Sequence, residues 1–100
     1  MKDREQQILN DVIKRLKATF NPAKIILFGS RAKGKAVVSS DFDLAVQCKK
    51  TSDLQKTKMK DQIDKICGLY KVDVIYWDEV DDDFRKIITQ TGKVIYERGA

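Results

Sequence analysis

Leu27-Phe28-Gly29-Ser30-Arg31-Ala32-Lys33-Gly34 is followed, after a short gap, by Ser39-Ser40-Asp41-Phe42-Asp43-Leu44-Ala45-Val46. Before Gly29, Lys24 to Phe28 is a continuous apolar run, which predicts a strand covered on both faces. Gly29 puts a backbone without a side chain at the mouth of that strand. Ser30 then opens a tight turn or a single helical turn to Gly34, where exposed N–H groups would cradle phosphate and Arg31 and Lys33 would add positive charge. Taken alone, the loop reads better as an ordinary glycine turn with solvated basic residues, because short glycine motifs recur by chance.

Asp41 and Asp43 change that balance. Residues two apart on a strand share a face, so the two carboxylates point the same way from the strand expected at Phe42 to Gln47. Phe42, Leu44 and Val46 face the other way and anchor it. Two adjacent carboxylates repel unless a cation joins them, and hard oxygen donors sharing a site with phosphates suit Mg²⁺. The plainer reading makes Asp41 a turn residue and Asp43 a solvated one. A third acid, Asp73, sits between Val72 and Val74, where aspartate is a poor strand former. It completes a triad if its strand lies beside the second. Otherwise it is simply exposed on an edge.

Working outward, Ile8, Leu9, Val12, Ile13 and Leu16 form an apolar stripe over a helix of about Asp3 to Thr19, stopped by Asn21-Pro22. Thr51-Ser52-Asp53 supplies an N-cap for a helix reaching about Leu69, with Leu54, Met59, Ile63, Ile66, Cys67 and Tyr70 as a looser stripe. A third strand is expected at Val72 to Trp77, and a short helix at Asp81 to Thr91 carrying Phe84, Ile87 and Ile88 on one face. Gly92 fits its C-terminal cap, and Lys93 to Tyr96 is a last strand. The second strand should return antiparallel to the first, while the third needs a helical crossover. The expected fold is therefore α/β (α+β), a mixed sheet of about four strands with helices packed on it, as one domain over residues 1–100.

The chain has no histidine and no CxxC pair, which argues against zinc. Cys48 and Cys67 lie in or beside apolar segments, as reduced thiols do. Neither an apolar leader nor a run near the ~20 residues needed to span a bilayer is present, so no membrane partner and a cytoplasmic location are expected. The formal charge of +5 fits a phosphate ligand, a nucleic acid or an acidic protein equally well. Lys49, Lys50, Lys56, Lys58 and Lys60 lack interleaved aromatic residues, so a solvated face is preferred to a nucleic-acid surface. The acidic run Asp78 to Asp83 reads as helix capping rather than metal binding, and Tyr76 and Trp77 as packing residues rather than a base-stacking pair.

Gly-Ser, ten residues, then Asp-x-Asp is a four-position pattern. At ordinary residue usage its chance occurrence in a chain of this length is on the order of one in a thousand. With strands before Gly29, at Asp43 and at Asp73, the sequence resembles the minimal nucleotidyltransferases of the polymerase-beta-like superfamily over nearly its whole length. The resemblance implies two Mg²⁺ ions and an NTP, ATP by preference, meeting three carboxylates. Asp41, Asp43 and Asp73 would bind the metals, Asp73 also orienting or deprotonating the acceptor hydroxyl. Gly29 and Ser30 would hold the phosphates, with Arg31 beside them. Lysine stands at Lys33 where many members carry arginine, and it lacks arginine's bidentate fork. The resemblance further implies a helical HEPN protein as partner, with this chain as the antitoxin that transfers AMP onto it. An oligomer is compatible with the sequence, and nucleic acid is not expected as the primary partner. The rival reading is a non-catalytic nucleotide-binding module that neutralises its partner by covering it.

Overall fold

The computed structural model describes residues 3–29, 42–68 and 70–99. Helix α1 spans Asp3–Phe20, followed by strands β1 (Lys24–Phe28) and β2 (Phe42–Gln47) and helix α2 (Asp53–Cys67). Strand β3 (Val72–Tyr76), a 3₁₀ turn (Trp77–Glu79), helix α3 (Asp82–Thr91) and strand β4 (Lys93–Glu97) complete the order. The strands form one sheet in the order β3-β2-β1-β4. β1 is antiparallel to both β2 and β4, and β2 is parallel to β3. The mixed sheet and the helical crossover expected from the sequence are both present.

Two apolar layers hold the sheet. Ile8, Leu9, Val12 and Leu16 of α1 pack with Met59, Ile63 and Cys67 of α2 onto Ile25, Leu27, Phe42, Leu44 and Val46. On the opposite face, Ile88 of α3 packs on Ile26 and Ala45. Alternation along each strand explains the division, since successive side chains leave opposite faces of a sheet. The helix ends are locally encoded. Asn21 takes a left-handed φ of 46° directly after α1, and its N–H donates to the Lys17 carbonyl. Ser52 and Gln55 form a reciprocal capping box at the start of α2. Asp81 accepts from the Phe84 N–H at 2.8 Å, and Asp82 and Asp83 occupy the first turn of α3, so the acidic run caps a helix.

Several expectations need correcting. Leu54, assigned to the α2 stripe, is 63% exposed because it lies in the first turn, before the helix reaches the core. Phe84 and Ile87, grouped with Ile88 on one face of α3, remain largely exposed, so α3 is held chiefly by Ile88. Trp77 leaves β3 and opens the 3₁₀ turn. Arg85 explains why, donating through its Nε and Nη2 to the Trp77 carbonyl and lying over the Trp77 ring. Gly92 caps α3 as expected, in an extended conformation. It is needed for space: a Cβ there would stand 2.5 Å from the Ile88 carbonyl oxygen and 2.6 Å from Ile26 Cγ2.

Lys56 is not part of a solvated basic face. It reaches Asp78 and Glu79 and lies over the Tyr76 ring at 5.0 Å. Tyr76 is buried and meets Phe20 edge-on, as expected of a packing residue. Both cysteines are free, and burial pushes both thiols up, away from thiolate chemistry. No helix among the described residues is long and apolar enough to cross a membrane.

Candidate active site

Strand register brings the candidate residues together. Phe28, the last residue of β1, is paired with Asp43, and Asp43 is paired with Asp73 across the parallel β2–β3 seam. Adjacent strands lie about 4.8 Å apart, so the two acids are immediate neighbours although thirty positions separate them in the chain. Both stand on the α3 side of the sheet. Phe42, Leu44, Val46, Val72 and Tyr76 belong to the opposite layer, which leaves Asp43 and Asp73 to share a face with Ala45 and Ile75.

Gly29 closes the group from the β1 side. Its φ is +78°, a conformation that favours glycine, and a Cβ built on it would stand 2.5 Å from Asp43 Oδ2. The sequence made Gly29 a bare backbone beside a phosphate cradle, and its close neighbour in the fold is the Asp43 carboxylate. Any side chain here would occupy the space that carboxylate uses.

Asp43 is half-buried and Asp73 exposed. Lys71 Nζ lies 4.0 Å from Asp73 Oδ1, with both side chains largely in solvent, a contact that contributes little to holding the acid. Among the described residues β3 is an edge strand and Asp73 is exposed on it, as the plainer reading has it, yet Asp73 also lies beside Asp43, as a triad needs. Ser30, Arg31, Lys33 and Asp41 lie outside the described residues. Consistent with that, the described residues contain no group of three acidic, His or Cys side chains that could hold a metal ion. The described part of the site is therefore Gly29 with two of the three expected carboxylates.

One neighbour was not singled out from the sequence. Phe84, 42% exposed, meets Phe28 edge-on at 6.1 Å, one position before Gly29 and on the same face as the acids. Its place in the apolar pattern of α3 made it look like core. Only the tertiary placement of α3 leaves it as a rim beside the site.

Comparison with known proteins follows the same geometry. Residues 10–100 match the family described as polymerase beta, nucleotidyltransferase. A curated Haemophilus influenzae protein named "Probable protein adenylyltransferase MntA" is 31% identical over 99 residues, which cover 98% of this chain and 84% of that protein. A crystal structure of a toxin–antitoxin with AMP-PNP superposes with a TM-score of 0.76 at 21% identity, covering 90% of this chain and 73% of the other. An MNT antitoxin in complex with the tri-AMPylated Shewanella oneidensis HEPN toxin gives 0.71 at 19% identity, covering 92% and 71%. At these identities the solved structures establish the shared fold.

Proposed function

The chain belongs to the polymerase beta nucleotidyltransferase family, and from that premise we propose that it is a protein adenylyltransferase, transferring AMP from ATP to a hydroxyl of a HEPN-type helical partner. In this reading it works in the cytoplasm as a single nucleotidyltransferase domain, the antitoxin of a toxin–antitoxin pair. The observation that carries the proposal is the pairing of Asp43 with Asp73 on one open face, with the unsubstituted Cα of Gly29 against Asp43. The adenylyltransferase named among the relatives and the AMPylated toxin in a structural neighbour support AMP as the group transferred.

The residues fit Mg²⁺. Paired carboxylates offer hard oxygen donors, and a site open to solvent leaves room for retained waters and phosphate oxygens, which is how this ion is usually held. Asp43 and Asp73, with Asp41 by its place in the motif, would hold it. When bound, Mg²⁺ supplies charge neutralisation at the attacking and leaving oxygens of an in-line displacement. The chain itself supplies position. Gly29 lets its backbone approach the phosphates closely, and Ser30 and Arg31 extend that cradle. Asp73, the more exposed acid, orients the acceptor hydroxyl and accepts its proton on a carboxylate oxygen. The acceptor oxygen bonds to the α-phosphorus, the bond from that phosphorus to the bridging oxygen of the β-phosphate breaks, and pyrophosphate leaves.

The test is to co-purify the chain with its native helical partner, incubate with ATP and Mg²⁺, and measure the partner's intact mass. Gains in whole AMP units with wild type, and none with Asp43→Asn, are expected. A partner fully neutralised without any mass gain, and equally by Asp43→Asn, would establish the non-catalytic binding module instead.

A further inference from the structure

We infer that the exposed ring of Phe84 is the platform on which the base of the bound nucleotide stacks, so that α3 supplies a nucleoside subsite beside the paired acids. This rests on the transferase reading above and specifies how the nucleotide is oriented in that site.

Helix and strand spacing place the ring. Ile88 of α3 packs on Ile26 of β1, and Phe84 meets Phe28 at 6.1 Å. Four residues along a helix advance about 6 Å, and two along a strand about 6.6 Å. α3 therefore runs alongside β1 in the reverse direction, with its first turns at the end of the strand that leads into Gly29. Phe28, Asp43 and Asp73 form one row across three strands on that face of the sheet, each step being about 4.8 Å. Phe84 stands at the Phe28 end of the row. Asp73, the acid assigned to the acceptor hydroxyl, stands at the other end, so base and acceptor approach the metal site from opposite flanks.

The ring is presented for stacking rather than spent on packing. It is 42% exposed, while Ile88, four residues on, is fully buried and holds the helix to the sheet. Phe28 meets it edge-on, at an interplanar angle of 88°, and a single edge-to-face partner covers at most one face of a ring. Stacking on the remaining ring surface needs only the π-face that every base carries. Phe84 thus favours nucleotides over bare polyphosphates without choosing among bases.

Charge sorts the two ends of the ligand. Asp81, Asp82 and Asp83 begin α3, and the Asp81 carboxylate accepts the Phe84 N–H at 2.8 Å. Carboxylates this near the ring repel a polyphosphate, whereas a neutral base meets no such repulsion. The β- and γ-phosphates therefore lie toward Gly29 and the base toward Phe84. The α-phosphate, bonded to both the ribose and the leaving pyrophosphate, is held between them over the acids.

The experiment uses the full chain with Mg²⁺ and titrates two probes by calorimetry, the non-hydrolysable ATP analogue AMP-PNP and inorganic triphosphate. Phe84→Ala should weaken AMP-PNP by about tenfold or more, the usual effect of losing one stacked base, and leave triphosphate affinity and the melting temperature unchanged. Phe84→Leu keeps an apolar side chain without a π-face and should lose as much as alanine, while Phe84→Trp should restore binding. The new indole should also be quenched by AMP-PNP but not by triphosphate, read as the difference from wild type. Ile87→Ala, at a more exposed apolar residue one turn farther from Gly29, should alter neither affinity. Undiminished AMP-PNP binding by Phe84→Ala, equal losses for the two probes, or full affinity in Phe84→Leu would overturn the inference. So would loss of the helical partner from Phe84→Ala with nucleotide affinity intact, which would make the ring a protein-docking residue.

Wild-type behaviour separates the two claims. A wild-type chain that binds neither probe sinks the nucleotide site itself. One that transfers AMP to its partner, while Phe84→Ala binds AMP-PNP as tightly as wild type, sinks the stacking platform alone.

Discussion

Replacing Gly29 with alanine tests the site through its tightest contact. Two effects combine. The backbone sits at φ +78°, where a residue with a Cβ is strained by roughly 1–3 kcal/mol. The new methyl would also stand 2.5 Å from Asp43 Oδ2, so the carboxylate must retreat by about 1 Å to reach an ordinary contact. A displacement of that size at a reacting centre can lower turnover on the order of 100-fold. For a domain of this size each kcal/mol lowers Tm by about 4–8 °C, so thermal melting should show a drop of at least several degrees. The informative comparison is the same substitution in an Asp43→Ala background. There the steric component has no target and only backbone strain remains, so Gly29→Ala should cost less than in wild type. Groups in contact are expected to be non-additive in this way. Equal losses in the two backgrounds would show that Asp43 is not what Gly29 makes room for. A fully active Gly29→Ala enzyme melting within a degree of wild type would refute the close approach altogether.

Asp73→Asn should retain most of the Mg²⁺-nucleotide stabilisation seen as a rise in Tm while losing most turnover, because its proposed task is at the acceptor oxygen; loss of nucleotide binding as complete as loss of transfer would contradict that role. Gly92→Ala leaves backbone φ acceptable but drives a methyl into Ile88 and Ile26, so chemical denaturation should show a loss of about 1–3 kcal/mol with unchanged nucleotide affinity. The Tyr76 hydroxyl is pushed up to about 12, first by burial and then by nearby Cys48, Glu79 and Asp78. Its raised value means the folded state holds the proton more tightly than the unfolded chain, so this contribution to stability is complete below pH ~10 and is lost as pH rises toward 12. Ultraviolet titration should find a tyrosine component near pH 12 that disappears in Tyr76→Phe.

Much of this architecture could be read from the chain because the decisive signals are local. The continuous apolar run of β1, the alternation at Asp41 to Val46, the Ser52 cap and the proline after α1 each act within a few residues of themselves. The site was legible in part for the same reason: strand periodicity alone places Asp43 opposite Phe42 and Leu44. What escaped depends on distant neighbours. No pattern within β3 reveals that Asp73 is in register with Asp43 rather than one residue off, and a slip of one would send it to the other face. Lys56 looked like one of several solvated lysines because Asp78 and Glu79, which engage it, lie more than twenty positions away. That Gly92 is needed for space could not be read locally, because the Ile26 side chain that excludes a Cβ belongs to another strand.

The parallel β2–β3 seam also governs when the site can exist. A hairpin such as β1–β2 can form from neighbouring segments, bringing Gly29 to Asp43 early. Asp73 arrives only after α2 has formed and carried the chain back across the sheet, a closure whose entropic cost is set by the length of the loop it shuts. Long-range parallel pairings are intrinsically slow steps in folding. A chain interrupted before β3 could thus retain a native-like hairpin and yet lack half of its described acid pair. Catalytic competence would appear abruptly, with that long-range pairing, and a stopped-flow trace of AMP transfer would report the docking of β3 rather than the onset of folding.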